Sequence, residues 1–221
     1  EGSKTFIFNT LLYAGIAATA DVILGTAIAY IVLRTNIFGR KGLDYLATAA
    51  LAVPGVVLGI GYLRTFHSVD VPFVGEPLAS WWVVIALALM IRRLPYALRA
   101  CMAALQQVSL ALEEAAESLG ATKKRTIYKI VVPLMKGGLL AGFVTSFATA
   151  AVELSATIML VSSNQDAPLA YGIYLFMQTP SGRGAGAALG VVAVLLVAAG
   201  TLASQIIIER DKKAKASADM H

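Results

Sequence analysis

Five long apolar stretches, parted by short polar or charged runs, organise the chain. They fall at about residues 6–33, 43–63, 80–99, 137–161 and 184–208. A helix needs about 20 residues to cross a bilayer, and each stretch supplies roughly that length. Only Asp21 interrupts the first, and the second contains Pro54-Gly55, where a missing backbone donor predicts a kink. Arg92, Arg93 and Pro95 weaken the second half of the third, Glu153 lies inside the fourth, and the fifth carries no charge. The pattern predicts an all-α, polytopic membrane protein with five transmembrane helices in one domain over residues 1–221. Small residues four apart mark candidate close approaches between helices at Gly55 and Gly59, Gly138 and Gly142, and Gly186 and Gly190.

Composition agrees with that reading. Of 221 residues, 58% are hydrophobic and 14% charged, against roughly a quarter charged in a soluble domain. The net charge of +5 does not indicate nucleic acid, because Lys and Arg sit in blocks between apolar runs. Fifteen of them, from Arg34 through Lys215, fall on one side of the spans, and Lys4, Arg64 and Arg183 on the other. The first side is therefore expected to be cytoplasmic, with loops 64–79 and 163–183 outside and the C-terminus inside. Glu1 then lies outside, which predicts an upstream helix that delivers it there. Beginning with Glu rather than Met, the chain reads as a fragment or processed product. Its lone Cys101 excludes an internal disulfide and reads as a packing residue. His67 and His221 lack metal-ligand spacing, and no cofactor motif is present.

Between the third and fourth stretches lies a polar segment, 108–136, that cannot all sit in lipid. Ser109 is placed to cap a helix over Leu110–Leu119, with Glu113, Glu114 and Glu117 toward its positive end. Gly120 suits the left-handed residue that ends it. Leu110, Leu112, Ala116 and Leu119 supply an apolar face, and Ala115 and Ala116 keep the helix thin enough to enter a groove on a partner. Thr122 is placed to cap a second helix running to Pro133. Lys123, Lys124 and Arg125 crowd its positive end, so they answer to headgroups or an acidic partner surface.

Glu114-Ala115-Ala116, three residues, Gly120, nine residues, Ile130, two residues, Pro133 resembles the EAA signature of binding-protein-dependent ABC importer permeases. Arg93 to Arg99, and Val53-Pro54-Gly55, are similar to the ferric-iron and polyamine branch. The resemblance implies a type I importer permease core in the bacterial inner membrane. It implies that segment 108–136 is the cytoplasmic coupling loop, with Glu114, Ala115, Ala116, Gly120, Ile130 and Pro133 docking on a separate ATPase subunit. The implied partners are that ATPase, a second permease half and an extracytoplasmic solute-binding protein. The chain would then be one half of a transporter, in keeping with the second half of a fused permease. Ferric iron leads as substrate, followed by polyamines, thiamine or organophosphonates.

Asp21 and Glu153 cost roughly 2.5–3.5 kcal/mol each if left unpaired at mid-membrane, so each must face protein or water. With Pro54 they are the candidates for the translocation path. The competing reading is a secondary transporter with Asp21 and Glu153 as an ion or proton relay, which leaves the loop unexplained. An intramembrane hydrolase lacks its His-Glu-x-x-His or Gly-x-Ser-x-Gly motif, and no Gly-x4-Gly-Lys-Ser/Thr loop is present to hydrolyse ATP within the chain.

Overall fold

The computed structural model describes residues 2–70, 75 and 77–218, which are almost entirely helical. The first stretch is one helix, α1 (Gly2–Arg34), of 33 residues. At 1.5 Å per residue it is about 50 Å long, well beyond the roughly 30 Å of hydrocarbon in a bilayer. The second is two helices, α2 (Arg40–Ala49) and α3 (Gly55–Phe66), joined by a 3₁₀ turn over Ala50–Ala52 and bent by 105°. Pro54 takes the N-cap position of α3, so the kink expected there is a full break.

The third stretch becomes α4 (Trp82–Gln106), which continues unbroken through Pro95 and past the expected end at Arg99. Segment 108–136 folds into α5 (Leu110–Ser118), α6 (Lys123–Thr126), a π-helical turn over Ile127–Val131, and α7 (Val132–Leu134). The fourth stretch is not one helix to Val161. It is α8 (Lys136–Ala151), a non-helical break, and the single turn α9 (Thr157–Leu160). The expected outer loop 163–183 contains a further helix, α10 (Leu169–Met177), too short to span a bilayer. Last comes α11 (Arg183–Ala218).

By length and apolar composition, α1 and Pro180–Ile207 each suffice to cross a membrane. Counting each bent pair, Arg40–Ala52 with Gly55–Phe66 and Lys123–Leu134 with Lys136–Ala151, as one span raises the number to four. The remaining expected span, α4, carries Arg92, Arg93 and Arg99.

α1, α4 and α8 form the centre of the bundle, and small residues set their spacing. Ala14, Ala17, Ala18 and Ala29 of α1 and Ala88 and Ala97 of α4 are fully buried. A methyl group on Gly25 would lie 3.1 Å from the Leu98 backbone nitrogen. One on Gly138 would overlap the Ala104 side chain, and one on Gly142 would stand 3.2 Å from that of Ala100. Lipid gives no hydrophobic drive between helices, so such close backbone approach is what dispersion and packing require. The outward faces are apolar, with Phe8 and Ile23 on α1 and Val191, Val194, Leu195 and Leu202 on α11 all exposed.

Candidate functional site

Two regions hold the candidate residues. In the loop, α5 ends in a left-handed residue, Gly120, at φ 86°. The Gly120 N–H donates to the Glu117 carbonyl at 2.9 Å and the Ala121 N–H to the Ala116 carbonyl at 3.0 Å. That pair of bonds is the Schellman arrangement, which occupies carbonyls the helix end would leave bare. Ser109 stands at the N-cap of α5 without a side-chain capping bond, whereas the Thr122 hydroxyl caps α6 by accepting from the Arg125 N–H at 3.4 Å.

Glu114, Ala115 and Gly120 are exposed, Ala116, Ile130 and Pro133 are half-buried, and Leu119 is 90% exposed. Leu110 and Leu112 are exposed as well. Of the four residues expected to form its apolar face, Leu110, Leu112 and Leu119 are therefore exposed and Ala116 is not fully so. What holds the helix in place is Glu113, buried at 4% exposure. Its carboxylate accepts from Arg34 Nε at 2.8 Å and from the Tyr30 hydroxyl at 3.1 Å. From the sequence, Glu113 is assigned only to the helix dipole, Arg34 only to the basic side of the chain, and Tyr30 to nothing. The one available signal is two adjacent acids, Glu113 and Glu114, which cannot both occupy the same helix face.

The second region is where the two broken helices meet. Arg92 Nη1 donates to the Val53 carbonyl, at the first break, at 3.0 Å. Its Nε lies 3.5 Å from Glu153 Oε2, at the second break. Arg93 pairs with the same Glu153 oxygen. The Ser155 hydroxyl and the Ala156 N–H donate to the other carboxylate oxygen. A side chain on Gly55 would overlap Ser155, and one on Gly59 would lie 2.8 Å from the Ala156 carbonyl. Pro54 and Glu153 thus come together.

Glu153 is not inside a helix, as expected, but in the break that follows α8. Arg92 and Arg93, grouped in the sequence with the basic residues of one side, sit mid-way along α4 and pair with this carboxylate, as a buried ionised group requires. Asp21 is elsewhere, fully buried in α1, where it accepts from the Ser146 hydroxyl of α8 at 2.5 Å. Among the described residues no three His, Cys, Asp or Glu side chains stand together to hold a metal.

Against known proteins, the description "binding-protein-dependent transport system inner membrane component" matches residues 21–213. The chain belongs to that family. It is 37% identical over 171 residues to the ferric transport system permease protein FbpB of Actinobacillus pleuropneumoniae, covering 77% of this chain and 24% of that one. The chain thus spans about a quarter of the length of that relative. It is 30% identical over 209 residues to the molybdenum transport system permease protein ModB of Escherichia coli K12, covering 90% of each. With the sulfate transport system permease protein CysT of the same organism it shares 33% over 161 residues, 70% of this chain and 57% of that one.

Two solved structures share the fold at 16% identity. One is the inward-facing MetNI methionine ABC transporter, with a TM-score of 0.71 over 93% of this chain and 94% of that one. The other is a bacterial ABC transporter for the acidic polysaccharide alginate, at 0.74 over 95% and 80%.

Proposed function

We propose that this chain is the membrane-crossing permease of an ABC importer, with α1, α2–α3, α4, α8–α9 and α11 as its five crossings. Segment 108–136 is its contact with a separate ATPase subunit, and a binding protein delivers the solute from outside. The observation that carries the reading is an exposed α5, closed by left-handed Gly120, that turns apolar Leu110, Leu112 and Leu119 away from its own chain. An unpartnered apolar helix face of this kind fits a groove on another protein. Family membership supports the same conclusion.

The relay alternative loses one of its two members: Glu153 has both oxygens engaged by two guanidiniums, a hydroxyl and a backbone N–H. Asp21, the other, accepts from Ser146 and keeps its Oδ1 unpartnered among the described residues. A lone acid apart from Glu153 makes no relay, and the alternative leaves segment 108–136 unexplained.

Ferric iron is the proposed solute, on the strength of the 37% identity to FbpB. A second reading, an oxyanion such as molybdate or sulfate, is favoured by Arg92 and Arg93 at the junction of the helix breaks and by the ModB and CysT relatives. Reconstituting the chain with its ATPase and binding protein, then measuring ATP-driven uptake of radiolabelled ferric iron, molybdate and sulfate, decides between them. Iron uptake that excess molybdate does not compete supports the first reading. Molybdate or sulfate uptake without iron uptake replaces it with the second, and uptake that needs no ATP removes the importer reading.

A further inference from the structure

Arg34 stands where three helices end. It is the last residue of α1, and its Nε binds the buried carboxylate of Glu113 in α5 at 2.8 Å. Its Nη2 reaches the other way, donating to the Leu105 carbonyl at 3.0 Å and the Val108 carbonyl at 2.5 Å. The Leu105 carbonyl lies in the last turn of α4, where a helix carries partial negative charge, and the Val108 carbonyl lies in the turn 107–109 that follows it. One planar, always-charged fork therefore satisfies a helix end and a carboxylate at once, a task a lysine's single point charge does not match. Tyr30, one turn earlier on α1, donates to the second oxygen of Glu113 at 3.1 Å. The carboxylate is thereby gripped at both oxygens from α1 alone, with 5% of its side chain exposed.

We infer that Arg34 is a positioning residue that locks α5 to the ends of α1 and α4, so that the three move as one rigid piece. Resting on the reading that segment 108–136 meets the ATPase, this gives Arg34 a place in the transport cycle. A push on α5 is passed directly into the α1–α4 pair. Along the chain α5 is tied to α4 by the three-residue turn 107–109, which Arg34 braces through the Val108 carbonyl, and to α8 by α6, the π-helical turn and α7. The path to α8 contains several breaks in regular helix, and a compliant segment absorbs displacement rather than passing it on. The Arg34 junction has less slack: each of its bonds, at 2.5–3.1 Å, involves a charged group, and the Arg34–Glu113 pair is largely shielded from water.

The test uses the assembled transporter in lipid, with its ATPase subunits. Gln106, at the end of α4, and Ser118, at the end of α5, are both exposed. Spin labels at Gln106→Cys and Ser118→Cys in a Cys101→Ser background report the distance between the two helix ends. A single distance, the same without nucleotide and with ATP bound, is the expected result. A shift or a second distance on ATP binding means α5 moves separately from α4, and overturns the inference without any change at Arg34.

The paired variant Arg34→Gln/Glu113→Gln removes both charges, so no buried ion is left alone. It is expected to co-purify with the ATPase as before while the ATP hydrolysed per solute imported rises at least about 5-fold, the lower end of a typical coupling effect. An unchanged ratio overturns the inference. Loss of co-purification overturns it as well, because the junction would then serve the docking surface itself. The docking reading fails separately, if Ala115→Trp on the exposed face of α5 leaves uptake intact.

Discussion

At the scale of single residues, the most consequential group is Glu153, whose pairing was only half visible in the sequence. An acid in an apolar stretch demands a partner, and so does an arginine pair, yet only the tertiary fold shows that Arg92 and Arg93 answer Glu153. Read along the chain, those arginines look like a basic loop, because linear order hides which side chains share a depth in the bundle. The Schellman turn at Gly120 was legible in full, since it depends on one residue type at one place after a helix. Arg34 and Glu113 were not legible, because their bond joins residues far apart in sequence. Removing one member of a buried pair strands the other charges. Glu153→Ala is therefore expected to destabilise the chain by about 3–5 kcal/mol, read as a lower unfolding temperature in detergent. Glu153→Gln strands the same two guanidiniums but keeps an acceptor for Ser155 and Ala156, so it is expected to lower the unfolding temperature less than Glu153→Ala while altering uptake. An unfolding temperature unchanged in Glu153→Ala contradicts the pairing, and unchanged uptake in Glu153→Gln leaves this residue a structural role alone.

At the scale of elements, hydrophobic length located the long helices but not their interruptions. Both broken regions read as continuous apolar runs, and only Pro54 announced one of them. The break after Ala151 has no proline; a Glu committed to two arginines and the close fit of Ser155 and Ala156 against Gly55 and Gly59 accompany it instead. The glycine spacings were informative where a neighbouring helix lies close. Gly138→Leu is expected to push α8 from α4 and cost about 1–3 kcal/mol, whereas Gly190→Leu meets nothing within 4 Å and is expected to be neutral. Comparing their unfolding temperatures checks this, and equal losses from the two would contradict the packing described. Setting Arg92 and Arg93 aside leaves thirteen basic residues against three, an asymmetry of the same sign, and the proposed orientation keeps it. A cysteine at position 68, in a Cys101→Ser background, is expected to label from outside only. Labelling from the cytoplasmic side alone would invert the topology.

At the scale of the whole molecule, the centre of the bundle is built on small residues, and Leu110, Leu112 and Leu119 in and beside α5 are exposed. In the proposed reading that surface meets an ATPase subunit on another chain. The measurement that tests this most directly is ATP-driven uptake by the reconstituted transporter carrying Ala115→Trp, Glu114→Lys or Gly120→Val. The first adds bulk to a thin helix, the second reverses a charge, and the third places a branched residue at φ 86°, a strain of roughly 1–2 kcal/mol. All three lie on the loop outside the helical bundle, so each variant is expected to insert normally, to lose co-purification with the ATPase and to lose uptake. Full uptake by all three, with normal ATPase association, would contradict the claim that this loop couples the chain to its motor.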